Sequence, residues 1–142
     1  MRKSEHDEQA AFVAMVHLQY RQRLDFVPIL FFSVPNGAWL GGKSYAMLNK
    51  LRAEGLQNGV SDLIYLQPRG PYTCLTIEMK APDKKRAQDW GLTTEQTAFI
   101  QALQWAGGRA EICFSADEAM EVFRDYMSQP TSPPPAISTN VP

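Results

Sequence analysis

The chain has 142 residues, of which 44% are hydrophobic and 20% are charged, so it can form one globular domain with a packed core. Its 14 basic and 15 acidic residues give a net charge of -1, which excludes a uniformly basic nucleic-acid-binding protein. Any phosphate binding must therefore use local basic patches or a metal ion. No apolar run reaches the roughly 20 residues of a membrane span, and the polar first residues do not resemble a signal peptide. Cys74 and Cys113 lie in apolar, strand-like runs, and we expect them to be reduced thiols of a cytoplasmic protein.

A helix is predicted over residues 4–20, where acidic residues crowd the first turn and the helix dipole favours them. Phe12 and Val16 fall on one face of this helix at the expected spacing. Glu5 and Gln9 are predicted to lie on the same face, since positions 5, 9, 12 and 16 follow the helical repeat. The apolar face of this helix is therefore expected to begin with two polar side chains, those of Glu5 and Gln9.

The rest of the chain alternates strands and helices, which is typical of an α/β fold. The strands at 62–66 and 73–79 are separated by a Pro- and Gly-containing turn at 68–71, and we expect them to form a hairpin. The other predicted elements are a strand at 29–34, a helix at 44–53, a helix at 95–106 capped by Thr94 or Thr93, a strand at 110–114 and a helix from Ser115 to about Met127. They predict one α/β domain over residues 1–127, and the Pro-rich, uncharged residues 128–142 are expected to be a disordered tail.

Two acidic residues and a lysine are expected to converge in the hairpin. Asp62 opens the first strand, while Glu78 and Lys80 lie two residues apart near the end of the second and therefore share a face. Two carboxylates on an apolar sheet repel each other and lose hydration, and a divalent cation such as Mg²⁺ or Mn²⁺ relieves both costs. Lys80 could then orient a water molecule or stabilise charge on a phosphate. The alternative is a surface ion pair of Glu78 and Lys80 on an edge strand, although apolar neighbours predict that this strand is buried.

Short motifs with a characteristic order extend over most of the chain. They are Glu5-His6-x-x-Gln9, Pro35-Asn36-Gly37, Gly55 followed by Gly59-Val60-Ser61-Asp62-Leu63, Ile77-Glu78-Met79-Lys80-Ala81, Thr94-Glu95-Gln96 and Gly107-Gly108. Together they resemble the VRR-NUC family (virus-type replication-repair nucleases) of the PD-(D/E)XK superfamily. Ser61 occupies the position at which the superfamily motif has proline, and a proline there shapes a turn without taking part in the chemistry.

The resemblance implies a single restriction-endonuclease-like domain, with a mixed central β-sheet flanked by helices. It also implies a Mg²⁺- or Mn²⁺-dependent endodeoxyribonuclease that hydrolyses DNA phosphodiester bonds. In this interpretation Asp62, Glu78 and the Met79 carbonyl hold the metal, and Lys80 is the catalytic lysine. The family further suggests branched DNA or Holliday junctions as substrate, a homodimer, and a role in phage-type replication, recombination or repair in the host cytoplasm.

Two helices are expected to contribute further residues to the site. The resemblance implies that Glu5 completes the acidic cluster from the first helix, with Glu8 as the competing acid, and that Gln96 lines the site. For Glu5 and Glu8 the alternative is simple stabilisation of a helix dipole. For Gln96 it is a place in a helix-capping box.

Basic residues next to the proposed site are candidates for DNA contacts. One basic stretch follows the catalytic strand and another lies around residues 43–52, whereas residues 111–125 hold five acids and one arginine. This separation of charge could orient a nearly neutral protein on DNA, although solvated faces are the alternative. The residues expected to contact DNA are Lys84, Lys85, Arg86, Lys43 and, from the resemblance alone, Asn36.

Two other functions are compatible with the sequence. Residues 37–44 match the P-loop pattern G-x-x-x-x-G-K-[ST] between a predicted strand and helix, which would indicate a nucleotide-binding protein. Bulky Trp39 and Leu40 do not suit a loop that wraps closely around phosphates, and this interpretation gives Asp62 no role. The other alternative is a non-catalytic DNA-binding module with the same fold. Trp90 and Trp105 are interpreted as packing residues.

Overall fold

The structure is a computed structural model that describes residues 4–35, 42 and 44–131. Within these residues the helices are α1 (Glu5–Tyr20), α2 (Tyr45–Ala53), α3 (Thr94–Trp105) and α4 (Ala116–Ser128). The strands are β1 (Phe31–Ser33), β2 (Leu63–Tyr65), β3 (Leu75–Met79) and β4 (Arg109–Cys113). The predicted order of helices and strands is confirmed. The loop after β3 contains a short 3-10 turn, Pro82–Arg86, and a second turn at Gln88–Gly91.

The four strands form one mixed sheet in the order β1-β2-β3-β4. β1 pairs antiparallel with β2 and β2 antiparallel with β3, whereas β3 and β4 run parallel. The predicted hairpin and the α/β fold class are therefore confirmed. In the hairpin Leu63 lies opposite Ile77, and the next step of this register brings Asp62 opposite Glu78. β3 is an interior strand that is buried along its whole length, so the surface ion pair considered for Glu78 and Lys80 is wrong.

The main core lies between the sheet and the helices α1 and α4. Phe123 of α4 is at its centre and contacts the rings of Phe12, Phe31 and Tyr65, with centroid distances of 6.1, 5.6 and 5.5 Å. Alternate residues of β3 point into this core, including Met79, which is fully buried. The side chains of Glu78 and Lys80 therefore leave the sheet on the opposite face, as the spacing predicts.

The chain that follows α4 is held against the hairpin by the buried side chain of Arg69. Its Nη1 donates to the carbonyl oxygens of Met127 at 2.8 Å and Gln129 at 3.1 Å. Gly70 N donates to Pro130 O at 2.8 Å. The chain thus keeps specific contacts beyond the predicted start of the tail at residue 128, and residues 132–142 lie outside the described part of the chain.

Gly59 allows the loop before Asp62 to lie directly against the first turn of α3. Its φ is +86°, and an added Cβ would lie 2.4 Å from the Glu95 carbonyl carbon and 2.8 Å from Gln96 N. Gly55 is a matched control, because its φ is also positive at +107° but no atom lies within 4 Å of an added Cβ. We expect Gly55→Ala to cost about 1 kcal/mol through its backbone conformation alone.

Gly59→Ala is expected to cost more, about 2 kcal/mol or above, since main-chain atoms cannot move aside as a flexible side chain would. Urea unfolding of the two variants measures the difference. Equal stabilities for the two variants would contradict the close approach of this loop to α3.

Candidate active site

The site begins with a pair of buried carboxylates on neighbouring strands. Asp62 and Glu78 are 9% and 2% exposed, and Asp62 Oδ2 accepts a hydrogen bond from Met79 N at 2.8 Å. Burial raises the pKa of Asp62. Burial first, and the negative charge of Asp62 second, raise the pKa of Glu78 to about 8. Each of these buried carboxyl groups makes ionisation of the other less favourable, so near neutral pH both ionise only when positive charge compensates them.

The two oxygens of Glu78 have different surroundings. Oε1 accepts a hydrogen bond from Gln96 Nε2 at 2.8 Å. Oε2 is buried and receives no hydrogen bond from any described residue. Buried polar atoms are rarely left in this state unless a ligand or an ion completes their contacts. The free oxygen of a carboxylate that faces a second carboxylate therefore fits a hard divalent cation.

Lys80 provides a positive charge at the same place. Its Nζ is 3.8 Å from Glu78 Oε1 and donates hydrogen bonds to Gln96 Oε1 at 3.1 Å and to Gly91 O at 3.0 Å. The side chain is only 11% exposed. Three contacts thus fix the ammonium group beside the acidic pair and leave it little freedom to move away.

Gln96 performs the capping role and the site role at once. Its N–H donates to the Thr93 side chain, and its Oε1 accepts from Thr93 N at 2.9 Å, which closes a capping box at the start of α3. Thr93 is therefore the cap of this helix, and the prediction of Thr94 is wrong. The same Oε1 also accepts a hydrogen bond from Lys80, and Nε2 donates one to Glu78, so the Gln96 amide links these two side chains.

The structure distinguishes the two first-helix acids. Glu8 is buried, and its Oε2 accepts from Ala116 N at 2.6 Å, so it stabilises the start of α4. Glu5 is half-buried, and its pKa is raised first by burial and then by the charge of Asp62, whereas Lys80 lowers it. Glu5 is thus within electrostatic range of Asp62 and Lys80. The buried residues of α1 are Glu8, Phe12, Val16 and Tyr20, and Glu5 and Gln9 of the predicted face are half-buried.

Within the described residues, no three Asp, Glu, His or Cys side chains lie close enough together to form a ready-made cation site. Asp62 and Glu78 are the acids brought together, and Glu5 interacts with them at longer range. Two carboxylates nevertheless suit Mg²⁺, which keeps several of its water ligands in proteins. A third ligand from Glu5 and a fourth from the Met79 carbonyl remain predictions.

Known proteins share both the sequence pattern and this arrangement of the chain. Residues 31–117 match the family model of the VRR-NUC domain, which is more than half of the chain and includes the hairpin acids and Gln96. The chain belongs to the VRR-NUC family. A solved structure named "VRR_NUC domain protein" is 22% identical and covers 89% of this chain and 90% of its own, with a TM-score of 0.68, which shows the same fold. No curated protein matches the chain significantly. Family membership gives the chain a nuclease-type function, with DNA as its binding partner.

The basic turn of this VRR-NUC domain is Pro82–Arg86, and its two lysines contact different parts of the domain. The Lys84 stem packs near Gly91, where an added Cβ would lie 3.1 Å from Lys84 Cδ, and the charge of Lys84 lowers the pKa of Glu5. Lys84 therefore faces the acidic site. Lys85 Nζ is 2.6 Å from Glu118 Oε1 of α4, so its charge is already paired. Arg86 is exposed. The other two candidate DNA contacts, Asn36 and Lys43, lie outside the described residues.

The P-loop interpretation receives no support from the part of its motif that the structure describes. Ser44, the last motif residue, accepts a hydrogen bond from Met47 N at 3.2 Å and caps α2. The strand before the motif, β1, is at the edge of the sheet and pairs antiparallel, whereas a P-loop belongs to a strand–helix unit of a parallel sheet. Residues 37–41 and 43 lie outside the described residues.

One part of the site was missed by sequence reasoning. Asp89 and Trp90 have positive φ angles of 51° and 54° and, with Gly91, form a left-handed turn whose last carbonyl accepts from Lys80. Only the glycine hints at such a turn. The packing interpretation is wrong for Trp105, which is 90% exposed, and holds only in part for Trp90, which is 50% exposed. None of the described helices is long and apolar enough to cross a membrane.

Proposed function

We propose that the protein is a Mg²⁺- or Mn²⁺-dependent endonuclease that hydrolyses phosphodiester bonds in DNA. The observation that supports this proposal is the buried Asp62–Glu78 pair, with one carboxylate oxygen that has no hydrogen-bond partner among the described residues and a fixed lysine beside it. Such a pair is costly to bury unless a cation compensates its charge. The nuclease family of the chain supplies the reaction class.

Each residue of the site has a distinct role in this proposal. Asp62, Glu78 and the Met79 carbonyl would hold the metal, with Glu5 reaching the site from α1. A bound divalent ion would stabilise charge on the phosphate oxygens and make a bound water more acidic. The Lys80 ammonium can hold the attacking water in position or donate a hydrogen bond to the phosphate. Gln96 fixes Lys80 and Glu78 relative to each other.

Branched DNA, such as a four-way junction, is the proposed substrate, and a homodimer is the proposed assembly. A domain of this size covers only a short stretch of duplex, so two copies would be needed to contact two arms of a junction. This activity belongs to phage-type replication, recombination or repair, and the host cytoplasm stays the predicted location.

Cleavage by the purified protein tests the proposal. A labelled four-way junction and a linear duplex of the same sequence are incubated with Mg²⁺, with Mn²⁺ or with EDTA. We expect cleavage with either metal, none in EDTA, and faster cutting of the junction. Equal cutting of both DNAs would contradict the branched substrate, and undiminished cutting in EDTA would contradict the metal. Binding without cleavage of either DNA would favour the non-catalytic module.

Neighbouring lysines of the basic turn provide a test of the DNA-binding surface. Lys84→Ala should weaken DNA binding and reduce the salt dependence of binding by about one phosphate contact, because this lysine faces the site. Lys85→Ala is the matched control and should have a smaller effect, since Glu118 already pairs with Lys85. Fluorescence anisotropy over a range of salt concentrations measures both. A larger loss for Lys85→Ala would show that DNA approaches from the α4 side.

A further inference from the structure

A groove of about 700 Å³ lies between the left-handed turn at residues 89–91 and the first turns of α3. This volume is typical of sites that bind small organic groups. The proposed hydrolysis makes no use of the groove. The carbonyl of Gly91, at the end of the turn, nevertheless accepts a hydrogen bond from Lys80. The residues that line it include Asp89, Trp90, Thr93, Thr94, Thr97 and Gln101.

The backbone of this turn has an unfavourable conformation, and two hydrogen bonds hold it in position. Asp89 and Trp90 adopt left-handed φ angles, which side chains with a Cβ rarely do. Leu92 N donates to Asp89 O at 2.9 Å and closes the turn. Lys80 Nζ donates to Gly91 O at 3.0 Å. The residue that follows Trp90 is therefore hydrogen-bonded to the ammonium group that lies beside the acidic pair. Backbone strain of this kind is common at functional sites.

Trp90 presents a large aromatic surface to this groove. Its indole contacts the ring of Phe114 in an edge arrangement, with centroids 6.1 Å apart and an interplanar angle of 77°. Half of the residue nevertheless remains exposed. A fixed, half-exposed indole beside an open groove is suited to stacking with a planar ligand.

The lining of the groove indicates which part of DNA would occupy it. None of the described lining residues is basic, and Asp89 is acidic, so the groove does not suit a phosphate group. Threonine hydroxyls and the Gln101 amide can instead exchange hydrogen bonds with the edge of a nucleobase. Bases within a duplex are already stacked on their neighbours, whereas an unpaired base has a free face.

We propose that Trp90 is a stacking platform for an unpaired nucleobase close to the scissile phosphate, and that the enzyme thereby favours DNA that exposes such a base. This inference rests on the proposed function, because the acidic pair and Lys80 define where the scissile phosphate lies. It adds a specificity-determining residue to that function and a substrate with an unpaired nucleotide beside the cut.

Binding of single-stranded DNA tests the stacking site. The probes are a labelled oligonucleotide and an equally long one made of abasic residues, with Ca²⁺ in place of Mg²⁺ to prevent cleavage. Trp90→Leu keeps an apolar side chain but removes the ring, and should weaken binding of the normal oligonucleotide roughly 5- to 150-fold. Trp90→Phe should retain most of the affinity. Trp105→Leu is the control and should bind like the wild type, because Trp105 is 90% exposed and does not line this groove.

The abasic probe separates stacking from other causes. Wild type and Trp90→Leu should bind it equally, and thermal unfolding shows that both are folded. The stacking site would be overturned if Trp90→Leu bound the normal oligonucleotide with wild-type affinity. It would also be overturned if the variant lost the same affinity for both probes. Those results leave the nuclease intact if Asp62→Asn still abolishes cleavage. If the wild type cuts no DNA, the proposed function itself fails.

Discussion

Asp62→Asn is expected to reduce DNA cleavage about a thousand-fold or more while leaving the fold intact. The substitution removes one of the two buried negative charges that would hold the metal, and metal stabilisation of a phosphate transition state contributes several kcal/mol. The asparagine side chain has nearly the same size, and its carbonyl oxygen can still accept the hydrogen bond from Met79 N. Loss of activity would therefore report on charge rather than on unfolding.

Single-turnover cleavage of the junction with Mg²⁺ measures this effect, and circular dichroism checks the fold. Asp117→Asn is the matched control, because it removes the same charge from an exposed position in the first turn of α4. The control should cut DNA at the wild-type rate. Equal cleavage by Asp62→Asn and the wild type, in a preparation free of other nucleases, would refute the active site proposed for this domain.

Glu78→Gln is expected to abolish cleavage and, in EDTA, to stabilise the protein at alkaline pH. The pKa of Glu78 is raised to about 8 from an ordinary value of 4.5. The folded protein therefore binds this proton more tightly than the unfolded chain. Stability conferred by the protonated carboxyl is fully present below about pH 4.5 and is lost as the pH rises to about 8. A glutamine has no charge to lose, so its advantage grows over the same interval.

The expected gain for Glu78→Gln at pH 9 is on the order of 2–4 kcal/mol, since each unit of pKa shift corresponds to about 1.4 kcal/mol and the shift is shared with Asp62. The loss of the 3.8 Å contact with Lys80 offsets part of this gain. Thermal unfolding in EDTA at pH 5 and pH 9 measures it. Mn²⁺ should stabilise the wild type and have little effect on the variant. A variant less stable than the wild type at pH 9 would contradict an uncompensated buried pair.

The sequence was sufficient to predict the hairpin of β2 and β3 but not the details of the site. Successive side chains of a strand point to opposite faces, which places Glu78 and Lys80 on one face whatever the length of the hairpin loop, so that prediction was safe. The register that brings Asp62 opposite Glu78 is set by the turn at 68–71, where a slip of one residue would move Asp62 to the other face.

Other features depend on contacts between residues far apart in the chain. Glu5 and Glu8 both occupy the first turn of α1 and look alike in the sequence, and only the position of Ala116 at the start of α4 assigns Glu8 to capping. The left-handed turn at Asp89 and Trp90 contradicts the local preference of Trp90, because Asp and Asn are the residues with a Cβ that enter this conformation most readily. Contacts with Lys80 and Phe114 help to hold it, and no local pattern indicates them.

The two roles of Gln96 restrict what sequence change this position can tolerate. A glutamate would cap α3 equally well, but it would place a third carboxylate against Glu78 and exchange the donor that Glu78 needs for a repulsive charge. An alanine would free Thr93 N, Lys80 and Glu78 at the same time. A redesign of the first turn of α3 for higher stability would therefore also change the contacts of the site. Thermal stability and turnover cannot be adjusted independently at this position.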